Sequence, residues 1–430
     1  MSFLKKKYYN SDKEIEEQDG FYIGSGITQC IKLQELDLNF KGNKIGDQGQ
    51  NLLFMSLSNC KNLLSLKINL KKNKLGERCF SNLNSTLLEL KNLLNLTLNF
   101  KQNQINNSGA QSLGSAIANC EQLQNLVLKL SKNEIGKSGR VGLCQGIAMC
   151  VSLQSLQLFL GQHIVEPFNS YSQLSALATC KKLQKLLFDF QKNQINDQDV
   201  QTLGSALLNF YHISSLKLCL KDNCIGMQGA RSLAMALTKF NNLSTLDLNL
   251  RKNNIGEEGI QYLGKSISNC SNLSILGLEL YDNNIGQKGV TNLSTNLQNC
   301  KNLKEVSLWL GCNYIEDQGA YDLGQALSKC NKLQSLILWL GYNNISTLGV
   351  QGIYPILLDC TKLSVLELDF QENNIFGTDV LNLISAIKKS TNIFILSIDL
   401  YFNQIDKKQQ SKIKQRINKF KRLVKKHICF

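Results

Sequence analysis

A spacing of 30 residues runs through almost the whole of this 430-residue sequence. An Asn recurs at this spacing from Asn43 to Asn403, and only His163 interrupts the series. Leu or Ile recurs at the same spacing from Leu33 to Ile393. Self-similarity at one fixed period is typical of repeat architectures, in which each short unit packs against its neighbours. The sequence therefore predicts about 13 stacked units rather than several separate globular domains.

Each unit has two halves with different hydrophobic periods. The first half, as in residues 33–46, reads L-x-x-L-x-L-x-[LF]-x-x-N-x-I-G, and its apolar residues alternate as in a strand with one buried face. The second half, as in residues 109–120, has apolar residues three and four positions apart, which predicts a short amphipathic helix. We therefore expect an α/β fold of strand–helix units with a parallel sheet on one side and helices on the other.

This pattern resembles the leucine-rich repeat family, in its ribonuclease-inhibitor-like class, over roughly residues 15–406. The resemblance implies a horseshoe-shaped solenoid with the parallel sheet on the concave face and the helices on the convex face. It also implies that a partner binds on the concave face. The sequence departs from the family pattern by an extra dipeptide, which adds an apolar position at Phe40 and its counterparts. We interpret this addition as a strand two residues longer.

The two ends of the chain depart from the regular repeat, and four segments result. We predict a flexible N-terminus over residues 1–14, an N-terminal capping half-repeat over 15–32, the repeat solenoid over 33–406, and a basic amphipathic C-terminal helix over 407–430. In the last segment, Ile413, Ile417, Phe420 and Val424 are spaced as on one face of a helix. A cap over the last unit is the favoured interpretation. The alternatives are contact with an anionic membrane, a calmodulin-type target, a nuclear-localisation signal and an autoinhibitory segment.

Charge and cysteine usage limit the partners and the compartment. The formal net charge is +15, but residues 406–430 alone carry ten Lys or Arg against one acid, so the body of the chain is only modestly basic. A nucleic-acid partner is therefore not expected. The sequence offers neither an apolar signal segment nor a transmembrane run, and it has 15 Cys, so we expect a cytoplasmic or nuclear protein with reduced thiols.

The recurring polar residues have structural explanations. We expect the Asn series to satisfy main-chain groups of the neighbouring unit, and we expect the Cys series from Cys30 to Cys360 to be buried thiols. There are only three His and no C-x-x-C pair, so we expect no metal, no cofactor and no catalytic site. Two irregular places remain: the unit around Pro167, which has lost its Asn, and Pro355, which should end or kink a helix.

The candidate partner-binding residues lie on late strands. If the side chains of Leu36 and Leu38 point inward, residues 35, 37 and 39, and their counterparts every 30 residues along the chain, are exposed. The two tryptophans of the chain, Trp309 and Trp339, then stand on neighbouring strands about 4.8 Å apart and should touch. The aromatic and acidic residues predicted to surround them are Tyr281, Tyr342, Glu279, Asp369 and Asp399. Exposed Trp with an acidic rim is typical of a binding hot spot and favours a basic partner.

Three functions are compatible with these features to different degrees. The favoured one is a non-enzymatic scaffold for protein–protein interaction. The alternatives are a GTPase-activating protein resembling the Ran-type leucine-rich repeat class, or a regulatory repeat module of a signalling protein. An activator would need an arginine in a defined loop, and the Arg residues of the repeat body are Arg78, Arg140, Arg231 and Arg251. A nucleic-acid sensor is disfavoured by the small charge of the body.

Overall fold

A computed structural model describes residues 6–9, 15–30, 32–80, 82–162 and 172–430. The chain divides into two compact units, Met1–Ile195 with Ser205–Ile213 and Asn196–Gly204 with Ser214–Phe430. The irregular segment at residues 163–171, with Pro167, lies outside the described residues, as do residues 1–5 and 10–14 of the expected flexible N-terminus.

The first unit alternates strands with helices, and each strand pairs in parallel with the next one along the chain. Its strands are β1 (Lys6–Tyr9), β2 (Glu35–Asn39), β3 (Ser65–Asn69), β4 (Asn95–Asn99), β5 (Asn125–Lys129), β6 (Ser155–Phe159) and β7 (Lys185–Asp189). Its helices are α1 (Glu17–Thr28), α2 (Gly46–Leu57), α3 (Leu83–Glu89), α4 (Asn107–Ile117) and α5 (Lys137–Ala148), with 3-10 turns at Glu77–Phe80 and Ser172–Thr179.

The second unit repeats this arrangement, also with parallel pairing between successive strands. Its strands are β8 (Ser215–Cys219), β9 (Thr245–Asn249), β10 (Ile275–Glu279), β11 (Glu305–Trp309), β12 (Ser335–Trp339), β13 (Val365–Asp369), β14 (Ile395–Asp399) and β15 (Lys425–Cys429). Helix α6 (Asp197–Leu207) has residues in both units, and the remaining helices are α7 (Met227–Leu237), α8 (Gly256–Ser268), α9 (Gly286–Leu297), α10 (Glu316–Ser328), α11 (Thr347–Gln351), α12 (Tyr354–Asp359), α13 (Gly377–Lys389) and α14 (Lys407–Asn418).

The core lies between each sheet and its helices. Alternate strand residues such as Leu36 and Leu38 are buried, as are the apolar helix residues Leu53 and Phe54. Burying each such side chain contributes about 1.5–3 kcal/mol, and the regular spacing supplies this term in every unit. The strand residues between them, such as Asp37, are half-buried and lie on the opposite side of the sheet, which we call the strand face.

The extra dipeptide prolongs main-chain bonding beyond the five-residue strands. The Phe40 N–H donates to the Asn69 carbonyl at 2.8 Å, and the Gly42 N–H donates to the Lys71 carbonyl at 2.8 Å. Phe40 itself is buried under this extension. The added apolar position therefore lengthens the hydrogen-bonded part of the repeat, although the regular strand β2 itself ends at Asn39.

The Asn series connects successive 30-residue repeats, as the sequence predicted. The buried Asn313 side chain donates through Nδ2 to the Leu280 carbonyl at 2.8 Å and the Leu310 carbonyl at 3.0 Å. Its Oδ1 accepts from the Asn283 N–H at 3.0 Å and the Ile285 N–H at 3.3 Å. These groups lie where the chain leaves the sheet and the strand ladder no longer satisfies them. One amide therefore replaces several lost main-chain partners in each turn.

The Cys series is buried at most positions, as predicted, and only Cys30 is half-buried. The buried thiols contact main-chain carbonyls of the preceding unit; the Cys150 Sγ lies 3.4 Å from the Ile117 oxygen. Burial raises the pKa of Cys120 and Cys150 to about 12. These cysteines are therefore small core side chains that also hydrogen bond between units.

The N-terminal segment differs from the expectation. Lys6–Tyr9, within the segment expected to be flexible, form β1 and pair with β2 in the register of one further unit. Helix α1 follows as the expected half-repeat and packs against α2, where a Cβ on Gly20 would come within 2.4 Å of the Gly49 carbonyl. Ile15 is buried, and its N–H donates to Asn43 Oδ1 at 3.0 Å. A strand thus precedes the capping half-repeat.

The prediction of a continuous C-terminal helix to Val424 was wrong. Helix α14 ends at Asn418, and Val424 is 86% exposed. Ile413 and Ile417 are buried in the helix, whereas Phe420 and Leu423 are buried after it, at the repeat positions of Cys30 and Leu33. The chain then forms β15, which pairs with β14. The segment is one more degenerate unit, since the 30-residue register overrides the local helical spacing.

Pro355 splits its helix, as predicted. Helix α11 ends at Gln351, and α12 begins at Tyr354 with the proline in its first turn. Proline is tolerated there because the first N–H groups of a helix have no intrahelical acceptor.

Candidate functional site

Five residues of the second unit form a cluster at the carboxyl ends of β9–β12, which we call the aromatic site: Arg251, Tyr281, Trp309, Trp339 and Tyr342. The register pairs Trp309 with Trp339 across β11 and β12. Their rings stack with centroids 3.9 Å apart and planes inclined by 21°, so the predicted contact is confirmed. Both indoles are half-buried on the strand face. The Trp309 Nε1–H donates to Ser307 Oγ at 2.9 Å, which fixes the orientation of that ring.

Arg251 places a cation of the chain itself against these rings. Its guanidinium carbon lies 5.1 Å from the Tyr281 ring centroid and 5.4 Å from the Trp309 centroid. The Arg251 Nη1 atom lies 4.0 Å from Glu279 Oε2, and that carboxylate oxygen accepts a 2.6 Å hydrogen bond from Asn249 Nδ2. The sequence predicts no role for Arg251 in this site, because an arginine finger is the only function that its residue type suggests. Tyr281 occupies the same repeat position as Arg251, 30 residues later. This correspondence is the sequence signal that places the two side chains next to each other.

Trp309 and Trp339 differ from the residues that most other repeats carry at the same strand-end position. At the same position in most other units, an Asn or Asp oxygen accepts the N–H two residues ahead and caps the end of the strand. The capping residues are Asn39, Asn69, Asn99, Asp189, Asn249, Asp369 and Asp399. Trp309 and Trp339 cannot make this cap. These two adjacent repeats therefore lack the side-chain cap and carry an indole in its place.

Two glycines leave room beside the indoles. Gly311 and Gly341 stand where most other repeats carry a larger side chain, such as Arg251, Tyr281 or Gln371. A Cβ on Gly311 would come within 2.9 Å of the Tyr281 ring, and a Cβ on Gly341 would come within 3.1 Å of the Gln371 carbonyl. The close approach of Tyr281 to the strand end thus depends on the glycine.

Carboxylates flank the site on both sides in register. Glu279 pairs with Trp309 across β10 and β11, and Asp369 and Asp399 follow Trp339 on β13 and β14. Burial, with a smaller contribution from Asp247, raises the pKa of Glu279. Burial also raises the pKa of Asp369, and the Asp399 charge adds to it. Asp369 and Asp399 each cap a strand end, so part of the acidic rim has a structural role that the sequence pattern does not predict.

Tyr281 and Tyr342 lie at the edge of the site, just beyond the ends of their strands. A hydrogen bond with Cys312 and, next, burial raise the pKa of Tyr281 to about 12. Tyr342 is exposed, and its hydroxyl accepts from Gln371 Nε2 at 3.2 Å. The structure thus gathers Tyr281, Trp309, Trp339 and Tyr342, whereas Asp399 lies one strand beyond Asp369.

Comparisons with known proteins agree with the repeat fold. A family model described as a leucine-rich repeat matches residues 93–114 and 242–264. The two matched segments are therefore leucine-rich repeats. A crystal structure of an internalin (inlF) from Listeria monocytogenes is similar over 94% of each chain, with a TM-score of 0.55 and 18% sequence identity, which is a likeness of fold. No curated protein matches the sequence closely enough to count as a relative.

The leucine-rich repeat fold presents extended surfaces of a kind that generally serve protein–protein interaction. Arginines of the repeat body are largely engaged within the chain: the Arg140 side chain is buried and donates to the Ile135 carbonyl at 3.0 Å, and Arg231 lies over the Tyr262 ring.

In the part of the chain that the structure describes, no group of three or more metal-ligating side chains converges. Among the same residues, no helix has the length and apolar character needed to cross a membrane.

Proposed function

We propose that this leucine-rich repeat protein is a non-enzymatic interaction scaffold, and that the aromatic site binds a basic segment of a protein partner on the strand face. The stacked pair of Trp309 and Trp339 carries this proposal, because two half-buried indoles occupy a position that holds a strand-capping Asn or Asp in most other repeats. Trp is among the residues most enriched at binding hot spots.

The charge around the site supports a basic partner. From β10 to β14, the strand-face and strand-end positions carry Glu279, Asp282, Glu305, Glu367, Asp369, Glu372 and Asp399, and no Lys or Arg. Such a rim attracts cationic segments and raises their rate of association at low salt.

Arg251 determines where an incoming cation can go. One side of Trp309 faces Trp339 and Arg251 lies against the ring as well, so the aromatic surface left for a ligand is that of Trp339, beside Asp369 and Tyr342. A Lys or Arg side chain there would gain cation–π attraction of about 0.5–2 kcal/mol together with the carboxylate charge. The contact between the Arg251 guanidinium and the Trp309 ring is an example of a cation–π contact of this kind within the chain.

Peptide display on the purified protein tests this function. Selection should enrich peptides that contain Lys or Arg next to an apolar residue, and the double variant Trp309→Ala/Trp339→Ala should lose this enrichment. Tyr211→Ala removes an aromatic residue that is 52% exposed outside the site and serves as the matched control. Selection of acidic peptides, or the same enrichment with the double variant, would contradict the proposal.

We further assign the repeats to the ribonuclease-inhibitor-like class, because most units combine a strand with an α-helix in 30 residues. The free cysteines favour a reducing compartment, so we place the protein in the cytoplasm, with the nucleus as the alternative. As a secondary proposal, the exposed lysines of α14 make a peripheral contact with a membrane surface. A GTPase-activating role has no supporting observation in the aromatic site, since Arg251 is held by Tyr281, Trp309 and Glu279.

A further inference from the structure

Lysines crowd the strand-end turns of the first unit. Lys41, Lys71 and Lys101 occupy the same position in successive turns, and Lys72 and Lys132 share the position that follows it. Within the described residues, none of these five ammonium groups forms an ion pair with a carboxylate. Burial and then the charges of Lys101, Lys41, Lys72 and Lys132 lower the pKa of Lys71. The fold therefore holds like charges together without neutralising them.

The turns give this cluster a fixed shape. Lys72, Gln102, Lys132 and Gln162 all have left-handed backbones, with φ between 59° and 63°. Each of their N–H groups donates to a carbonyl of the next turn, as from Lys72 to Lys101 at 3.1 Å. Glycine adopts this conformation with least strain and stands at the equivalent Gly42. Long polar side chains are thus projected from a rigid backbone at positions where glycine would be less strained.

An open depression of about 680 Å³ lies among these turns. Among the described residues, its lining is cationic and amide-rich, without a carboxylate, and includes Lys72, Lys74, Lys132, Gln102, Gln104 and Gln162. A volume of this size is within the range of about 300–1,000 Å³ that is usual for small-molecule sites.

We propose that this depression binds a compact, multiply phosphorylated small molecule. Lysine ammonium groups suit phosphate as point charges, whereas planar carboxylates are best matched by the arginine fork, and the lining has no Arg. Binding of single-stranded nucleic acid relies on aromatic side chains for base stacking, and the lining residues that the structure describes include none. The Gln amides can donate to or accept from hydroxyl groups of the ligand. A polyanion would also relieve the repulsion among the lysines.

Inorganic tripolyphosphate is the probe for this site, measured by isothermal titration calorimetry on the full chain. We expect saturable binding that weakens with added salt, with orthophosphate binding less tightly. The variant Lys72→Gln/Lys132→Gln should lose at least about tenfold in affinity, since it removes two of the charges. Glutamine is accepted by these turns because Gln102 and Gln162 hold the same position with the same φ. Lys252→Gln alters the equivalent turn position in the second unit and should leave the affinity unchanged.

Two results would overturn the proposal. The first is tripolyphosphate binding that is absent, or equal in the double variant and the parent protein. The second is tighter binding of oligothymidylate or polyglutamate than of tripolyphosphate at the same salt concentration, which would identify a macromolecular partner. Circular dichroism of both variants establishes that they are folded. The site lies in the first unit and is independent of the aromatic site.

Discussion

Replacing Asn313 with Ala should destabilise the second unit far more than most single substitutions. The side chain is fully buried and bonds the Leu280 and Leu310 carbonyls and the Asn283 and Ile285 N–H groups. Each buried group that loses its partner costs about 1–3 kcal/mol. Water entering the space left by the amide would satisfy some of them, so we expect a total loss of about 3–4 kcal/mol.

Urea denaturation followed by tryptophan fluorescence measures this loss where it occurs. The chain has two Trp, and both lie on strands next to Asn313. Local unfolding therefore changes the signal even if the repeats do not unfold as one cooperative unit.

Asn272→Ala is the matched control for Asn313→Ala. The Asn272 amide also donates to a main-chain carbonyl of the preceding unit, that of Asn241 at 2.9 Å, but it is exposed. Water replaces its partner, so the loss should be below about 1 kcal/mol. Equal, small losses for the two variants would refute the assignment of the Asn series as the main connection between units.

Three further predictions concern thiols, charge and the C-terminus. A thiol reagent under native conditions should label the exposed Cys224 rapidly and Cys120 slowly, since burial raises the Cys120 pKa to about 12; rapid labelling of both would show an open core. Asp369→Asn keeps an oxygen for the Gln371 N–H and removes a charge whose pKa is raised by burial. A raised carboxyl pKa means that ionisation destabilises the fold as pH rises through the folded-state value, so the variant should melt higher than the parent near neutral pH but not below about pH 3, and scans at both pH values check this. Deleting residues 407–430 should lower the melting temperature and increase binding of a hydrophobic dye, because Ile413 and Ile417 pack the end of the second unit; an unchanged melting temperature would rule out a capping role.

Much of the fold could be predicted from the sequence because one register controls it. The 30-residue spacing placed Leu36 inward and Trp309 beside Trp339 without any reference to tertiary structure, and both placements are confirmed. The same register, applied consistently, also locates Leu423 and β15, which the local helical spacing around Val424 obscured.

The candidate site could be predicted only in part. Strand positions fix which side chains share a face, so Tyr281 and Glu279 were found with the tryptophans. The approach of Arg251 depends on side-chain direction beyond the strand end, where the left-handed turn reorients the chain. The capping role of Asp369 was missed for a related reason, since it involves an N–H two residues ahead rather than a neighbour across the sheet.

Titration of the tryptophan fluorescence with an acetylated peptide of alternating Lys and Gly tests the central claim most directly. Both fluorophores lie in the aromatic site, so the signal reports this surface alone. We predict a saturable change that weakens with salt and with Trp339→Ala, and no change with the matched peptide of alternating Glu and Gly. An equal response to the two peptides, or the same affinity for Trp339→Ala and the parent protein, would contradict a basic partner at this site.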